Sequence, residues 1–151
     1  MFLPDPILVV CAGNLFRSPF AEGLMRHRLQ QAGTMAECYS RGLITMPGRK
    51  PPASVLKIAK EFDVDLSEHI SQPLLRPDVE RAALVLVMDA KQRQHLVRMS
   101  PASVGKVFML SQPVDGADIR DPVGLDDAVI RAVYGQIAGY VDAWLTRFGI
   151  A

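Results

Sequence analysis

A short apolar run, Ile7 to Val10, leads directly into a turn that carries a cysteine, Cys11. Four apolar residues in succession are typical of a strand that is buried on both faces. Apolar residues then recur at the spacing of a helix with one buried face: Ala21, Leu24, Met25 and Leu29. The pattern predicts a strand, a turn and a helix, with Cys11 in the turn.

The residues of this turn are those that a phosphate-binding loop requires. Gly13 and Asn14 tolerate positive φ, so the backbone can curl and point successive N–H groups at an anion. Pro19 suits the first turn of a helix, and Ser18 before it is predicted to cap that helix. The partial positive charge of the helix N-terminus adds to the same cavity. The sequence therefore predicts a turn that holds a dianion.

Cys11 and Arg17, which are separated by five residues, supply the remaining chemical groups. The guanidinium of Arg17 offers a rigid fork of donors that matches two phosphate oxygens. Loop amides, the helix end and Arg17 all favour thiolate over thiol at Cys11. A cysteine beside a helix cap is commonly an inert core residue. The Gly, Asn, Arg, Ser and Pro at these offsets favour a nucleophile beneath a bound phosphate instead.

The segment Cys11-Ala12-Gly13-Asn14-Leu15-Phe16-Arg17-Ser18-Pro19 resembles the signature loop of the low-molecular-weight protein tyrosine phosphatases. The resemblance implies a three-layer α/β/α domain with a central four-stranded parallel sheet. It also implies that Arg17 and the amides of residues 12 to 17 bind the phosphoryl group that Cys11 attacks. The usual loop has a second cysteine where this chain has Phe16, so we expect Cys11 to lack a redox partner.

Composition and charge are those of an ordinary globular protein, and we expect one domain over residues 1–151. The hydrophobic fraction is 49%, and the net charge of +1 gives no reason to expect a nucleic-acid partner. No apolar run is long enough to span a bilayer, and the N-terminus lacks a secretory signal pattern, so we expect a cytoplasmic location. Cys38, the second of two cysteines, is predicted to be a buried core residue.

Apolar runs and helical patterns alternate along the rest of the chain, which predicts right-handed crossovers and a parallel sheet. Further strands are predicted at about 35–40, 82–88 and 106–110, and helices at about 19–32, 54–62, 91–99 and 126–148. Ser54 is the predicted cap of the second helix. The proline-rich loop 42–52 has two open interpretations, a wall of a substrate pocket or a solvated connection.

Hydrolysis through a cysteinyl phosphate needs a proton donor for the leaving oxygen and a base that activates water. The loop after the fourth predicted strand emerges at the same end of the sheet as the Cys11 turn. It contains Asp115, Asp118 and Asp121, and position alone does not choose among them. Asp121-Pro122 resembles the family's Asp-Pro pair, which implies that Asp121 is the general acid and base, with Asp118 as the alternative.

The resemblance also covers residues around the loop. Ser40 and His69 match positions that brace the signature loop, which implies a network that strains Asn14 and aims the Ser18 hydroxyl at the sulfur. Many members follow the Asp-Pro pair with a tyrosine that walls the pocket, whereas this chain has Val123. Two other residues, Leu43 and Tyr39, are candidates to line the opening.

The reaction that the resemblance implies is hydrolysis of phosphotyrosine in proteins, without a metal or other cofactor. We expect a monomer or a weak dimer that does not insert into membranes. The segment after Ser40 is more similar to bacterial members, several of which act on autophosphorylating tyrosine kinases that govern polysaccharide export. That role is a hypothesis by analogy.

Two alternative functions stay open at this point. A thiol-dependent arsenate reductase is disfavoured because no cysteine follows Cys38 to pass the oxidation onward. A phosphate-binding module without catalysis is disfavoured because it would need neither a nucleophile nor an acid.

Overall fold

A parallel sheet lies at the centre of the protein. The computed structural model describes residues 2–150, so residues 1 and 151 of the expected domain lie outside it. Within this range four strands, all parallel, pair in the order β2-β1-β3-β4. They are β1 (Ile7–Cys11), β2 (Cys38–Gly42), β3 (Leu84–Val87) and β4 (Val107–Met109). The predicted α/β architecture with a four-stranded parallel sheet is confirmed.

Helices cover both faces of the sheet. Over residues 2–150 the α-helices are α1 (Arg17–Gln31), α2 (Ala53–Glu61), α3 (Arg76–Arg81), α4 (Ala90–Met99) and α5 (Asp127–Arg147), and a 3₁₀ helix spans Pro101–Lys106. Residues of α1, α2 and α5 join one apolar cluster, and residues of α3 and α4 join the other. In this part of the chain no helix combines the length and hydropathy that crossing a membrane requires.

The strand β1 shows why its sequence is apolar throughout. Ile7, Val9 and Cys11 belong to the cluster beneath α1 and α5, whereas Leu8 and Val10 belong to the cluster on the other face. Each of the four apolar residues before Cys11 is completely buried, and burying such a side chain contributes about 1.5–3 kcal/mol. Cys11 is therefore the last residue of a strand that is buried throughout.

Several predicted boundaries were wrong, each for a local reason. Ser18 does not cap α1, because the helix already begins at Arg17 and the serine hydroxyl is bonded elsewhere. Ser54 does not cap α2, which follows Pro52 without a side-chain cap bond. The strand β2 begins at Cys38 rather than near 35, because its ladder with β1 starts there, opposite Ile7. The helix α3, six residues long, was missed because it is too short to show a helical period.

The connections leave β1 in the centre, with β2 on one side and β3 on the other. In an open parallel sheet this change of direction creates a crevice beyond the carboxyl ends of the two central strands. Cys11, the last residue of β1, lies at that crevice. The loop that follows β4 reaches the same end of the sheet, since the N–H of Ile119 donates to the carbonyl of Met88, which follows β3.

The carboxyl end of β2 approaches the Cys11 turn so closely that a side chain larger than that of glycine would be crowded there. A Cβ atom on Gly42 would lie 2.7 Å from Cγ2 of Thr45 and 3.0 Å from both the Ala12 carbonyl oxygen and Cβ of Asn14. Two of these atoms belong to the turn itself. Gly42 thus sets the distance between β2 and the turn.

We expect the Gly42→Ala variant to lose about 1–3 kcal/mol of unfolding free energy, because an added methyl overpacks a fixed backbone contact. Urea unfolding followed by circular dichroism measures the loss. Gly139→Ala is the matched control: Gly139 lies in α5, and its Cβ would meet no atom within 4 Å. That variant should gain up to about 1 kcal/mol through helix propensity. Equal stabilities for Gly42→Ala and the wild type would contradict the proposed contact.

Candidate active site

A cavity of about 170 Å³ opens at the carboxyl end of β1. Its lining residues come from three segments, the Cys11 turn, the loop after β2 and the loop after β4: Cys11, Gly13, Leu15, Phe16, Arg17, Ile44, Thr45, Arg49, Asp121 and Val123. The structure thus brings Cys11, Arg17 and Asp121, the three predicted catalytic residues, to one cavity.

The sulfur of Cys11 has two donors at hydrogen-bond distance. The backbone N–H of Asn14 donates to Sγ at 3.2 Å, and Oγ of Ser18 lies 2.9 Å from Sγ. The Ser18 hydroxyl oxygen already accepts an N–H from Nδ2 of Asn14 at 2.9 Å, so its own proton is free to point at the sulfur. Donors that bond the charged form of a group favour that form. Both groups are thus placed to donate to the sulfur when it acts as a nucleophile or a leaving group.

Asn14 is the centre of the polar network behind the turn. Its φ of 57° lies in the left-handed region, which asparagine enters more readily than most residues. Its buried side chain donates through Nδ2 to Ser18 and, at 3.0 Å, to Oγ of Ser40. Its Oδ1 accepts the backbone N–H of Gln72 at 3.0 Å. Ser40 then donates to Oε1 of Glu22 at 2.7 Å, so every polar atom of the Asn14 side chain is engaged.

Four carbonyl groups of the turn are held by donors from outside it. These bonds run from Leu43 N to Cys11 O (3.0 Å), Ile44 N to Ala12 O (2.8 Å), His69 Nε2 to Asn14 O (2.7 Å) and Tyr134 Oη to Phe16 O (2.6 Å). A carbonyl oxygen only accepts, so Nε2 of His69 carries the proton. In a trans peptide the C=O and the next N–H point in opposite directions. The N–H groups of residues 12, 13, 15 and 17 therefore point away from these four anchors.

Arg17 leaves part of its guanidinium for a ligand. Its side chain is only 4% exposed, NH1 donates to the Ile119 carbonyl at 2.7 Å, and NH2 lies 3.5 Å from Oδ2 of Asp121. Its Nε is buried and has no hydrogen-bond partner among residues 2–150. Buried donors are rarely left without an acceptor. An oxygen of a bound anion would satisfy this one.

Asp121 is the acidic residue that the structure places at the cavity. Its side chain is 43% exposed and stands beside Arg17, while its Oδ1 accepts the N–H of Val123 at 3.2 Å. Asp118 instead accepts the N–H of Ala90 at 3.1 Å, and Asp115 accepts the phenol of Tyr140 at 3.1 Å. Neither of those two carboxylates lines the cavity. The geometry favours Asp121 over both alternatives.

The apolar wall of the cavity differs from the two candidates that the sequence suggested. Tyr39 is buried on the other face of the sheet, where its phenol donates to the Asp78 carbonyl at 2.6 Å. Leu43 packs against that same cluster. The chain turns after Gly42, so Ile44 and Thr45 reach the cavity instead. The loop 42–52 therefore forms a pocket wall, the first of its two interpretations.

Tyr134 lies in α5 at the helical spacing that is typical of a residue in the hydrophobic core. Its ring does belong there, stacked on Phe20 with 3.9 Å between the ring centroids. Its hydroxyl, however, holds the Phe16 carbonyl of the turn. Burial raises the pKa of the Tyr134 phenol, and the charge of Cys11 raises it further, so the hydroxyl stays a donor at neutral pH. The sequence offered one indication of this role, because the hydroxyl of a buried tyrosine usually needs a hydrogen-bond partner.

The second thiol of the described chain is far from the first. Cys38 pairs with Ile7 at the start of β1, whereas Cys11 pairs with Gly42 at its end. At roughly 3.3 Å per residue the separation along the strands is about 13 Å, too far for a disulfide. Burial raises the pKa of Cys38 to about 12, so this thiol is a core residue as predicted. Over residues 2–150 no three His, Cys, Asp or Glu side chains are arranged to hold a metal ion.

Comparison with known proteins identifies relatives that match most of the chain. The sequence model described as low molecular weight phosphotyrosine protein phosphatase matches residues 6–149. A probable low molecular weight protein-tyrosine-phosphatase EpsP of Ralstonia nicotianae is 36% identical over 93% of this chain and 94% of its own length.

Solved structures show the same fold. The crystal structure of Erwinia amylovora tyrosine phosphatase AmsI superposes with a TM-score of 0.88 at 29% identity, covering 96% of this chain and 93% of that one. YwlE arginine phosphatase from Geobacillus stearothermophilus superposes with a TM-score of 0.86 at 30% identity, covering 95% and 92%.

We expect Tyr134→Phe to bind inorganic phosphate roughly two- to tenfold more weakly, because one anchored peptide loses a hydrogen bond while the ring stack is kept. The rate at which iodoacetamide alkylates Cys11 should also change, since a looser turn alters the two donor contacts of its sulfur. Competitive inhibition constants and alkylation rates measure the two effects. Tyr140→Phe is the control, since its hydroxyl bonds Asp115 outside the cavity. Identical values for both variants and the wild type would contradict the anchoring role.

Proposed function

The chain belongs to the low molecular weight phosphotyrosine protein phosphatase family, and from this we propose that it hydrolyses phosphotyrosine in proteins through a cysteinyl-phosphate intermediate. We propose one phosphatase domain over residues 1–151, which the family match at 6–149 supports. The observation that carries the mechanism is the meeting of Cys11, Arg17 and Asp121 at one cavity, with the Nε of Arg17 lacking a partner among residues 2–150.

In the proposed first step, Arg17 and the amides of residues 12 to 17 bind the phosphoryl oxygens, and the thiolate of Cys11 attacks phosphorus. The bond from phosphorus to the phenolic oxygen breaks, and the carboxyl group of Asp121 gives its proton to that oxygen. In the second step the Asp121 carboxylate takes a proton from water, which attacks the phosphocysteine. The Ser18 hydroxyl stabilises the thiolate that leaves, and inorganic phosphate is released.

The walls of the cavity favour an aryl leaving group. The apolar side chains that line it are Leu15, Phe16, Ile44 and Val123, and an aromatic ring buries apolar surface against such side chains. Val123 is exposed by 57% and supplies contact area without aromatic stacking. Similarity to YwlE arginine phosphatase makes phosphoarginine the second candidate substrate, and the apolar wall favours phosphotyrosine over it.

The structure also bears on the two other functions that the sequence left open. A binding module would have no use for both a thiol and an acid at its cavity, yet Cys11 and Asp121 line the same one. A thiol-relay arsenate reductase needs a second thiol near the first, and Cys38 lies at the far end of the strands. Both alternatives are therefore weaker than the phosphatase.

For the biological substrate we propose an autophosphorylating bacterial tyrosine kinase that controls polysaccharide export, with the phosphatase acting in the cytoplasm. Similarity to the bacterial phosphatases EpsP and AmsI supports this, and the step from those relatives to a kinase is by analogy. Deleting the gene should raise the phosphotyrosine content of the kinase and change polysaccharide output. Unchanged values for both in the deletion strain would exclude this role.

The proposed mechanism predicts how each residue affects the hydrolysis of p-nitrophenyl phosphate and of a phosphotyrosine peptide in the presence of a chelator. Cys11→Ser should abolish turnover of both. Asp121→Ala should slow an alkyl phosphate by roughly 10²–10⁴-fold and p-nitrophenyl phosphate much less, because an acidic leaving group needs little protonation. Steady-state kinetics over a series of leaving groups measures the difference.

Asp118→Ala is the control for the acid, because Asp118 lies outside the cavity, and it should keep the wild-type dependence on the leaving group. If Asp118→Ala showed the steep dependence instead, the acid would be misassigned. Faster turnover of phosphoarginine than of the phosphotyrosine peptide would replace the proposed substrate. Inertness of the wild type toward all these esters would favour the binding module.

A further inference from the structure

The loop between β2 and α2 places exposed cations beside the cavity. Arg49 lines the cavity together with Cys11, and Lys50 follows it. Within residues 2–150 neither cation takes part in an ion pair. The acidic side chain that lines the same cavity, Asp121, is beside Arg17. The positive charge of Arg49 thus has no described counter-ion.

The backbone of Arg49 is held in place by one buried serine. Ser71 is completely buried, and its N–H donates to the Arg49 carbonyl at 2.8 Å while the Arg49 N–H donates to Oγ of Ser71 at 3.1 Å. The same hydroxyl donates to the Met46 carbonyl at 2.6 Å, and the N–H of Gly48 donates to the Ser71 carbonyl at 2.9 Å. These four bonds hold residues 46 to 49 on Ser71.

Ser71 also connects this loop to the phosphate-binding turn. It lies between His69, which donates to the Asn14 carbonyl at 2.7 Å, and Gln72, whose N–H donates to Oδ1 of Asn14 at 3.0 Å. We call residues 69–72 the bracing segment. Because one short segment bonds both Asn14 and Arg49, the Arg49 backbone has a fixed position relative to the turn. A side chain that starts from a fixed backbone loses less entropy when it binds.

We propose that Arg49 is a specificity-determining residue that pairs with an aspartate or glutamate carboxylate close to the phosphotyrosine of the protein substrate. This rests on the proposed function and names the class of phosphopeptide that the site prefers. An extended peptide advances roughly 3.3 Å per residue, so we expect the carboxylate within about two residues of the phosphotyrosine. Ile44 and Met46, exposed by 83% and 67%, offer apolar contact to the same peptide.

The exposure of the Arg49 side chain determines how strongly the proposed ion pair affects substrate binding. A solvent-exposed ion pair of this kind changes binding by about two- to fivefold. The pair is the same in the ground state and the transition state, so it should lower KM and leave kcat unchanged. Salt should weaken it, because at about 1 M ionic strength charges are screened beyond roughly 3 Å.

The test uses three phosphotyrosine peptides that differ only in the residues flanking the phosphotyrosine, which are aspartate, alanine or lysine. The wild type should show a kcat/KM for the aspartate peptide about two- to fivefold above that for the alanine peptide, and the lysine peptide should be poorest. Arg49→Glu should reverse the order. Arg98→Glu is the matched control, since this exposed arginine lies in the last turn of α4, at the end of the sheet away from the cavity.

Binding separates this inference from the proposed function. Dissociation constants of the three peptides for Cys11→Ser and for Cys11→Ser with Arg49→Glu, measured by fluorescence anisotropy, do not depend on turnover. If the wild type hydrolysed none of the peptides, the proposed function would fail, while the order of dissociation constants would still decide the role of Arg49. Equal affinities for the aspartate and lysine peptides, or an aspartate preference that persists in the Arg49→Glu variant, would overturn the inference.

Discussion

The left-handed backbone of Asn14 is the constraint on which the site depends. A non-glycine residue in this region of φ and ψ costs of order 1–3 kcal/mol unless its surroundings hold it there, and here they do so from several directions. Ser18, Ser40 and Gln72 engage its side chain, and His69 engages its carbonyl. In this conformation the Asn14 N–H points at the sulfur of Cys11. The strained backbone thus places a hydrogen-bond donor at the reacting atom.

The parts of the site that could be predicted are those encoded by neighbouring residues. The apolar run before Cys11 identified the central strand, because burial on both faces leaves no place for polar residues. The spacing from Cys11 to Arg17 predicted the phosphate-binding loop, because a single turn supplies both groups. Topology narrowed the candidates for the general acid to three aspartates, and only the resemblance chose Asp121 among them. The structure then placed it beside Arg17.

The features that could not be predicted depend on contacts between residues that are far apart in the chain. Tyr134 reaches the Phe16 carbonyl across 118 positions, and a tyrosine at helical spacing has the pattern of any core residue. Ser71 acts through backbone groups of the loop that it holds, which no residue pattern encodes. The resemblance correctly placed the Ser18 hydroxyl at the sulfur, whereas the predicted helix cap was wrong because tertiary structure overrode a sound local preference.

Because the turn is anchored by residues outside it, the stage of chain synthesis at which those residues become available determines when Cys11 acquires its native surroundings. The carbonyl of Phe16 is held by α5, which is synthesised more than a hundred residues after the turn, and those of Cys11 and Ala12 are held by residues just beyond β2. A nascent chain that has made only the Cys11 turn lacks these three anchors. Cys11 therefore acquires the surroundings of a nucleophile only after the segments that contain β2 and α5 have been synthesised and have packed against the turn.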